Sequence, residues 1–429
     1  VALTETPRTV QFTCPQCGWA GEFDARFAPW CIPNDHDLVA KDEQQKVAGQ
    51  KKRVRRKREK ARQRGEALEE RLVQTGELRP GSLARSAAVV FGLTVHAITL
   101  LVFFGAVAAL FSGNWLLYLL AFLGFGVVWA LRPRLAKRPG TEWLRREKVP
   151  QLFAILDRIS AATGAPTPKY VKLDARFNAG TGRRGIRHEP VLILGAPLWQ
   201  ILDGDERLAL LGHELGHQVN GDTTQGVLVA TAHNSLYQWR ALLYPRRGGR
   251  AIPGAEGLAQ VLMPVVLLPF YLAVTGLQMF YGWLQVHVAL RAEFLADDIA
   301  AQTASSTAAL SLMRKLSARL SVETYVTRVR FGRRTARNNP TPEDAMEMWI
   351  GLQDYIKTVP EHEYIRAARL SEYRGTQIDA SHPADYLRIR LLKGRPPRRA
   401  AVTVSEDEWL GVDLELASHV AEVGRSMLR

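Results

Sequence analysis

Two long uncharged stretches dominate the pattern of hydrophobic and polar positions. Ala87 to Leu110 is about 24 residues without a formal charge, and Trp115 to Leu131 adds about 17 more. At about 1.5 Å per helical residue they reach, or nearly reach, across a hydrocarbon core of about 30 Å. With Gly113-Asn114 as the turn, they predict a membrane hairpin. It lies too far from residue 1 to read as a cleaved signal peptide. Leu258 to Leu290 is a further apolar stretch, interrupted by Pro264 and Pro269, and predicts a span whose helix runs on toward Glu293. Gly226 to Tyr244 is weaker, because His233, Asn234, Gln238 and Arg240 interrupt it. A buried soluble helix is the alternative there. A membrane role is preferred, since a chain that crosses once after His217 must cross again to reach Glu293. Polar side chains in such a span face a bundle interior or a watery cavity. His233 and Asn234 are therefore expected to line a chamber, and His96 to make an interhelical hydrogen bond.

The remaining segments carry soluble patterns. Pro150 to Thr163 reads as an amphipathic helix. Lys169 to Leu173 and Val191 to Leu194 read as short strands, separated by a Gly- and Arg-rich loop at Gly180 to Gly185. Leu208, Leu210, Leu211 and Leu215 give one helix its apolar face, with Asp205 and Glu206 at the end where acids are favoured. Leu310 to Leu320 and Pro342 to Ile356 read as helices, Leu38 to Gly76 as a charged helix, and Ala400 to Arg429 as a tail without assigned role.

Charge adds an orientation. The formal net charge of +15 is concentrated beside the apolar stretches, with Lys51 to Arg64 almost continuously basic. Arg79, Arg85, Arg132, Arg134, Lys137, Arg138, Arg145 and Arg146 flank the first hairpin. Positive loops stay inside, so both ends of the hairpin are expected in the cytoplasm of a bacterial cell with the chain in its inner membrane. Arg246, Arg247 and Arg250 argue weakly the other way. The basic run suits anionic lipid headgroups, at about 1 kcal/mol per residue. Nucleic acid is disfavoured by the position next to a span.

Candidate chemistry lies in His213-Glu214-Leu215-Gly216-His217. Positions i and i+4 share a helix face, so both imidazoles can reach one ion, and the Glu after the first His can act as general base. Such a motif also arises as a surface helix with two solvated His. A zinc hydrolase needs a third protein ligand and one open position. Glu293 is the candidate, on a helix where Asp297 follows one turn later and can accept the free ring N–H of a ligand His. Gly212 and Gly216 cost the helix about 1 kcal/mol each, which suggests that something packs closely against them. The three cysteines, Cys14, Cys17 and Cys31, all lie near the N-terminus. Cys14-Pro15-Gln16-Cys17-Gly18 looks like a zinc knuckle; Cys31 is a third ligand and His36 the best fourth, with Asp35 behind it. Unpaired cytosolic thiols are the alternative.

The stretch from His213 to Asp222 resembles the active-site helix of the HtpX-type membrane metalloproteases and of the related CAAX prenyl proteases. Arg291-x-Glu293-Phe294-x-Ala296-Asp297 is similar to their third-ligand helix, and Ser381-His382-Pro383 with Arg388 to their His-Pro segment. Asn178-Ala179 precedes an apolar strand, as in that family. The resemblance runs from about Glu142 to Lys393. It implies a catalytic zinc on His213, His217 and Glu293, Glu214 as base, and His382 and Arg388 beside the substrate carbonyl and a buried acid. It also implies a substrate strand added at an edge near the zinc helix. Val191, Leu192 and Ile193 are the expected edge, with Asn178 and Ala179 beside it. Arg291 is closer to the prenyl-protease form, and Asn220 and Asp222 to the HtpX form.

The expected fold is mainly α: membrane helices with a zincin-like α+β catalytic domain and an N-terminal zinc-ribbon-like module. The expected divisions are 1–37 for that module, 38–84 for a basic helix and linker, and 85–135 for the hairpin. Catalytic segments follow at 140–225 and 291–395 around a second membrane hairpin at 226–290, then a tail at 396–429. The expected activity is a zinc endopeptidase acting on proteins or peptides, membrane proteins among them, at the cytoplasmic face, with a second, structural zinc on the cysteines. A prenyl-protein protease and a membrane-anchored scaffold with a structural zinc site are the alternatives.

Overall fold

The computed structural model describes residues 8–39, 59, 63, 65–67, 69–70, 83–132, 139–185, 187–219, 222–244, 255–333, 339–374 and 385–429. Ser381-His382-Pro383, Asn220 and most of the basic run lie outside them. Two strands, β1 (Thr9–Thr13) and β2 (Ala20–Asp24), form an N-terminal antiparallel hairpin. Helices α1 (Leu83–Ala109) and α2 (Trp115–Leu131) follow, then α3 (Pro150–Thr163), β3 (Tyr170–Asp174), β4 (Ala179–Arg184) and β5 (Glu189–Gly195). Next come α4 (Ala196–Trp199), α5 (Gly204–Val219), α6 (Asp222–Leu243) and α7 (Ala255–Ala304). The chain closes with α8 (Ser306–Ser317), α9 (Arg319–Gly332), α10 (Pro342–Lys357), α11 (Glu361–Arg374), α12 (Asp385–Gly394) and α13 (Glu406–Leu428).

Local sequence explains the helix ends. α3 starts with Pro150, where a missing N–H costs nothing, and stops at Gly164, whose φ of 74° suits a residue without a Cβ. Thr341 with Asp344, and Ser405 with Glu408, form reciprocal capping boxes on α10 and α13. In α3, Leu152, Phe153, Ile155, Leu156 and Ile159 are buried at helical spacing. They join one core with β5, α5, α8, α10 and α13. The expected tail is thus part of that core: Trp409, Val412, Leu416 and Val420 of α13 are buried in it.

The sheet corrects two expectations. Its order is β3-β5-β4, with β5 parallel to β3 and antiparallel to β4. The segment expected as a loop at Gly180 to Gly185 is largely strand β4. Val191, Leu192 and Ile193 lie in the central strand, each already paired on both sides, so they offer no edge to an added strand. Ala179 is in β4, which is an edge. Gly195 ends β5 where the chain passes close by: its N–H donates to the Asn178 carbonyl at 2.8 Å, and a Cβ there would lie 1.8 Å from the Arg176 carbonyl oxygen.

Two stretches are long and apolar enough to cross a membrane, Ser86–Ala109 and Leu262–Leu284; Trp115–Ala130 of α2 is shorter. Only 17% and 6% of the two windows are buried, which distinguishes them from the core helix of a soluble protein. α1, α6 and α7 pack together through Ala88, Val95, Ala232, Leu236, Val274 and Tyr281. His96 Nε2 lies 3.1 Å from Thr231 Oγ1, and the Tyr281 hydroxyl donates to the Val229 carbonyl at 3.2 Å. His233 and Asn234, expected to line a chamber, are exposed on α6. α7 runs for 50 residues as one helix, through Pro264 and Pro269, so no break separates its apolar stretch from Glu293.

Candidate metallopeptidase site

α5 and α7 carry the site, and their contact is unusually close. A Cβ at Gly212 would lie 2.7 Å from the Thr303 side chain, and one at Gly216 would lie 3.0 Å from the Ala296 Cα. Gly216 therefore lets the α7 backbone approach α5 directly, and Gly212 leaves room for the Thr303 side chain. Gly216→Ala is expected to gain about 1 kcal/mol in helix propensity and to lose about 1–3 kcal/mol to overpacking against a backbone that cannot swing aside. The helices then separate, and zinc affinity falls more than stability does. Zinc titration beside a thermal melt of the same variant checks this. The start of α5 is fixed by reciprocal bonds: the Glu206 N–H donates to Asp203 at 2.8 Å, and the Asp203 N–H donates to Glu206 at 3.0 Å.

Three ligand-type side chains converge. His213 Nε2 lies 3.5 Å from Glu293 Oε2, and His217 Nε2 lies 3.5 Å from Glu293 Oε1. One ligand atom from each residue falls within 4.8 Å of the others. His213 and Glu293 are buried and His217 is partly so. Two imidazole nitrogens and a carboxylate oxygen are the donor set zinc takes in hydrolases. Glu214, next to His213 on α5, is buried.

A second layer orients this set. His213 Nδ1 lies 3.0 Å from Asp297 Oδ1, so Nε2 is the nitrogen turned toward Glu293. Arg388 of α12, itself buried, clamps Asp297 from Nε at 2.8 Å and from Nη2 at 2.6 Å. Its Nη2 is also 3.7 Å from Glu293. Arg388 thus sits on the buried acid, as the resemblance implies, with its Nη2 also 3.4 Å from His213 Nδ1. Burial works against charge on Asp297, but the Arg388 guanidinium and the His213 ring hold its carboxyl below the usual range. Burial likewise pushes the His213 ring down, yet hydrogen bonds to Asp297 and Glu293 prevail and raise it to about 9 in the metal-free protein.

That raised value sets a pH dependence. Zinc must displace the His213 proton, so apparent zinc affinity is expected to rise about tenfold per pH unit up to about pH 9. The metal-free protein behaves oppositely. The stability contributed by the protonated ring is complete below its ordinary value of 6.5 and is lost as pH rises through about 9. Zinc titrations and melts of the metal-free protein at several pH values check both signs.

Sequence reasoning passed over the side chain that ties the site to the sheet. Gln218, next to His217, donates to Thr181 Oγ1 of β4 at 2.5 Å. The signal was the alternation Gly180-Thr181-Gly182, masked by the low strand propensity of glycine. At the N-terminus Cys14, Cys17 and Cys31 also come together, within 4.8 Å of one another. His36 does not join them; its Nδ1 lies 3.1 Å from Asp37. Burial raises Cys14, but the N–H groups of Cys17 and Gln16 overcome this and bring its thiol down to about 6, while burial pushes Cys31 up to about 11.

A buried and a partly buried imidazole and a buried carboxylate on a pair of closely packed helices, with a glutamate beside the first ring, define the centre of a His-Glu-x-x-His metallopeptidase. Comparison with known families agrees: Peptidase family M48 matches residues 146–396, more than half of the sequence, and the chain belongs to that family. Among curated proteins, the Protease HtpX homolog of Bifidobacterium longum (strain NCC 2705) is 31% identical over 150 residues, covering 34% of this chain and 49% of that protein. The Protease HtpX homolog of Syntrophobacter fumaroxidans (strain DSM 10017 / MPOB) is 27% identical over 168 residues, covering 37% and 55%. Protease HtpX of Xanthomonas euvesicatoria pv. vesicatoria (strain 85-10) is 29% identical over 226 residues, covering 47% and 71%. The chain spans about half the length of the first two relatives. No solved structure matches it.

Proposed function

We propose that this chain is a membrane-embedded zinc endopeptidase that cuts polypeptides at the cytoplasmic face of the membrane, with membrane proteins in need of removal as its clients. The observation that carries this reading is the convergence of His213 and His217, from α5, on the Glu293 carboxylate of α7. When bound, zinc supplies Lewis acidity toward a carbonyl and acidifies a water to a pKa of about 7. Glu214 takes a proton from the attacking water and hands it to the leaving amine. Asp297 and Arg388 keep the His213 ring in one tautomer and one orientation. The substrate backbone adds to the edge of β4, since that edge strand is tied to α5 beside His217 through Gln218 and Thr181. Asn178 and Ala179, at the start of β4, then lie on the substrate side of this reading, and His382 is assigned to the oxyanion by the resemblance alone. The basic flanks of α1 and α2 favour the cytoplasmic orientation. The exposed apolar faces of α1 and α7 favour lipid as their surroundings. Cys14, Cys17 and Cys31 hold a second zinc.

The test is a comparison of membrane proteomes from cells carrying the wild-type chain or Glu214→Gln. Membrane proteins that persist uncut only in the variant support the reading. Identical proteomes, with the wild-type protein also inert on unfolded model substrates, would remove it.

A further inference from the structure

Residues 8–39 have too small a core to stand alone. Phe23, Trp30, Leu38 and Val39 are buried there, and Ile365 and Leu370 of α11 complete the same cluster. A module of this size needs a metal, a disulfide or a partner to hold its shape. Here the three thiols converge at the knuckle, with Cys14 and Cys31 buried and Cys17 exposed. Among the described residues no His, Asp or Glu joins them as a fourth ligand.

The loop that starts at Cys31 is what α11 grips. Arg369 donates to the Ile32 carbonyl, pairs with Asp35 at 2.5 Å and lies over the Trp30 ring. Arg366 reaches the carbonyls of Ala28 at 3.4 Å and Leu38 at 3.5 Å. A change of shape at Cys31 therefore changes the surface that α11 holds. α12, the next helix, carries Arg388, and the chain ahead of α1 also touches it: Glu69 pairs with Arg390 at 2.6 Å, and Glu66 accepts from the Tyr386 hydroxyl at 3.2 Å. The N-terminal chain thus braces α11 and α12 from outside while Arg388 holds Asp297 from within.

We infer that Cys14, Cys17 and Cys31 form an exchangeable zinc site whose occupancy governs how firmly α11 and α12 seat Arg388 behind the catalytic centre. A three-thiolate donor set selects zinc over magnesium or calcium. An exposed ligand, and a fourth position that no His, Asp or Glu among the described residues fills, let the ion exchange with free zinc. The inference rests on the peptidase reading only for its activity readout; the structural coupling stands apart from it.

The test uses the full chain in detergent, with zinc content, hydrogen exchange and peptide cleavage measured on wild type, Cys17→Ser and Arg369→Ala. Wild type is expected to hold two zincs and Cys17→Ser one, with amide exchange across residues 361–374 and 385–394 faster by about tenfold and cleavage slower by several-fold. Arg369→Ala is expected to keep both zincs and yet show the same faster exchange, which decides the matter if Cys17→Ser fails to fold. A wild-type protein whose single zinc depends on His213 alone overturns the inference. So does a Cys17→Ser or Arg369→Ala protein in which exchange over α11 and α12 is unchanged. If exchange responds as stated but no variant and no wild type cleaves anything, the coupling holds and the peptidase reading fails.

Discussion

Glu214→Gln is expected to leave a folded protein that still binds zinc at His213, His217 and Glu293 and, on the proposed function, to cleave about 10²–10⁴-fold more slowly. The size follows from what the amide lacks. Gln is nearly isosteric with Glu, so the buried position on α5 is not disturbed. It cannot accept a proton, and a water left un-deprotonated is a poor nucleophile at neutral pH. None of the three converging ligands is altered, so metal content should match wild type. The check is cleavage of a model membrane substrate at equal zinc occupancy. Cleavage at the wild-type rate would mean that another group moves the proton.

Asp297→Ala is expected to cost about 3–5 kcal/mol, measured by thermal or denaturant unfolding of the metal-free protein. Arg388 is buried, and Asp297 is the partner that takes its two short hydrogen bonds. Removing the acid leaves a desolvated guanidinium beside Glu293 at 3.7 Å, a pairing with poorer geometry. The same change frees His213 Nδ1, so zinc affinity should fall by about 10–100-fold. Stability and metal binding can be separated. Asp297→Leu with Arg388→Met removes both charges, and replacing a buried pair by apolar groups is often neutral. The double variant should recover most of the stability and none of the zinc affinity, because nothing then fixes the His213 ring. Full recovery of both would reduce the pair to a packing element.

Much of the centre was legible in the sequence because its chemistry is local. His213 and His217 are one helical turn apart, as are Glu293 and Asp297, so each pair could be placed before any contact was known. The two weak points in α5, Gly212 and Gly216, also read correctly as marks of close approach. What escaped was set by long-range pairing. β4 is rich in glycine and looked like a loop; its partner β5 supplies the order that its own residues do not. An apolar run such as Val191 to Leu194 says that a strand is buried, and a strand paired on both sides fits that better than an edge. α13 was unreadable for a related reason: Trp409, Val412 and Leu416 mark one apolar face, but only the folded partners α10 and α3 show what it covers. Arg388 could be picked out by resemblance alone, since nothing near it in the chain signals that Asp297 lies across the fold.

The length of α7 has a mechanical consequence. From the middle of its apolar stretch to Glu293 is about 20 residues, or roughly 30 Å of continuous helix. A tilt of about 5° pivoting there would swing the far end by roughly 2–3 Å, enough to pull a ligand off a metal if that end moved alone. It does not move alone, because α5 is packed onto it, Gly216 against the Ala296 backbone and Gly212 against the Thr303 side chain, and packed interiors scarcely compress. The centre therefore rides on the shaft like a head on a handle: a tilt of α7 carries His213, His217 and Glu293 along together.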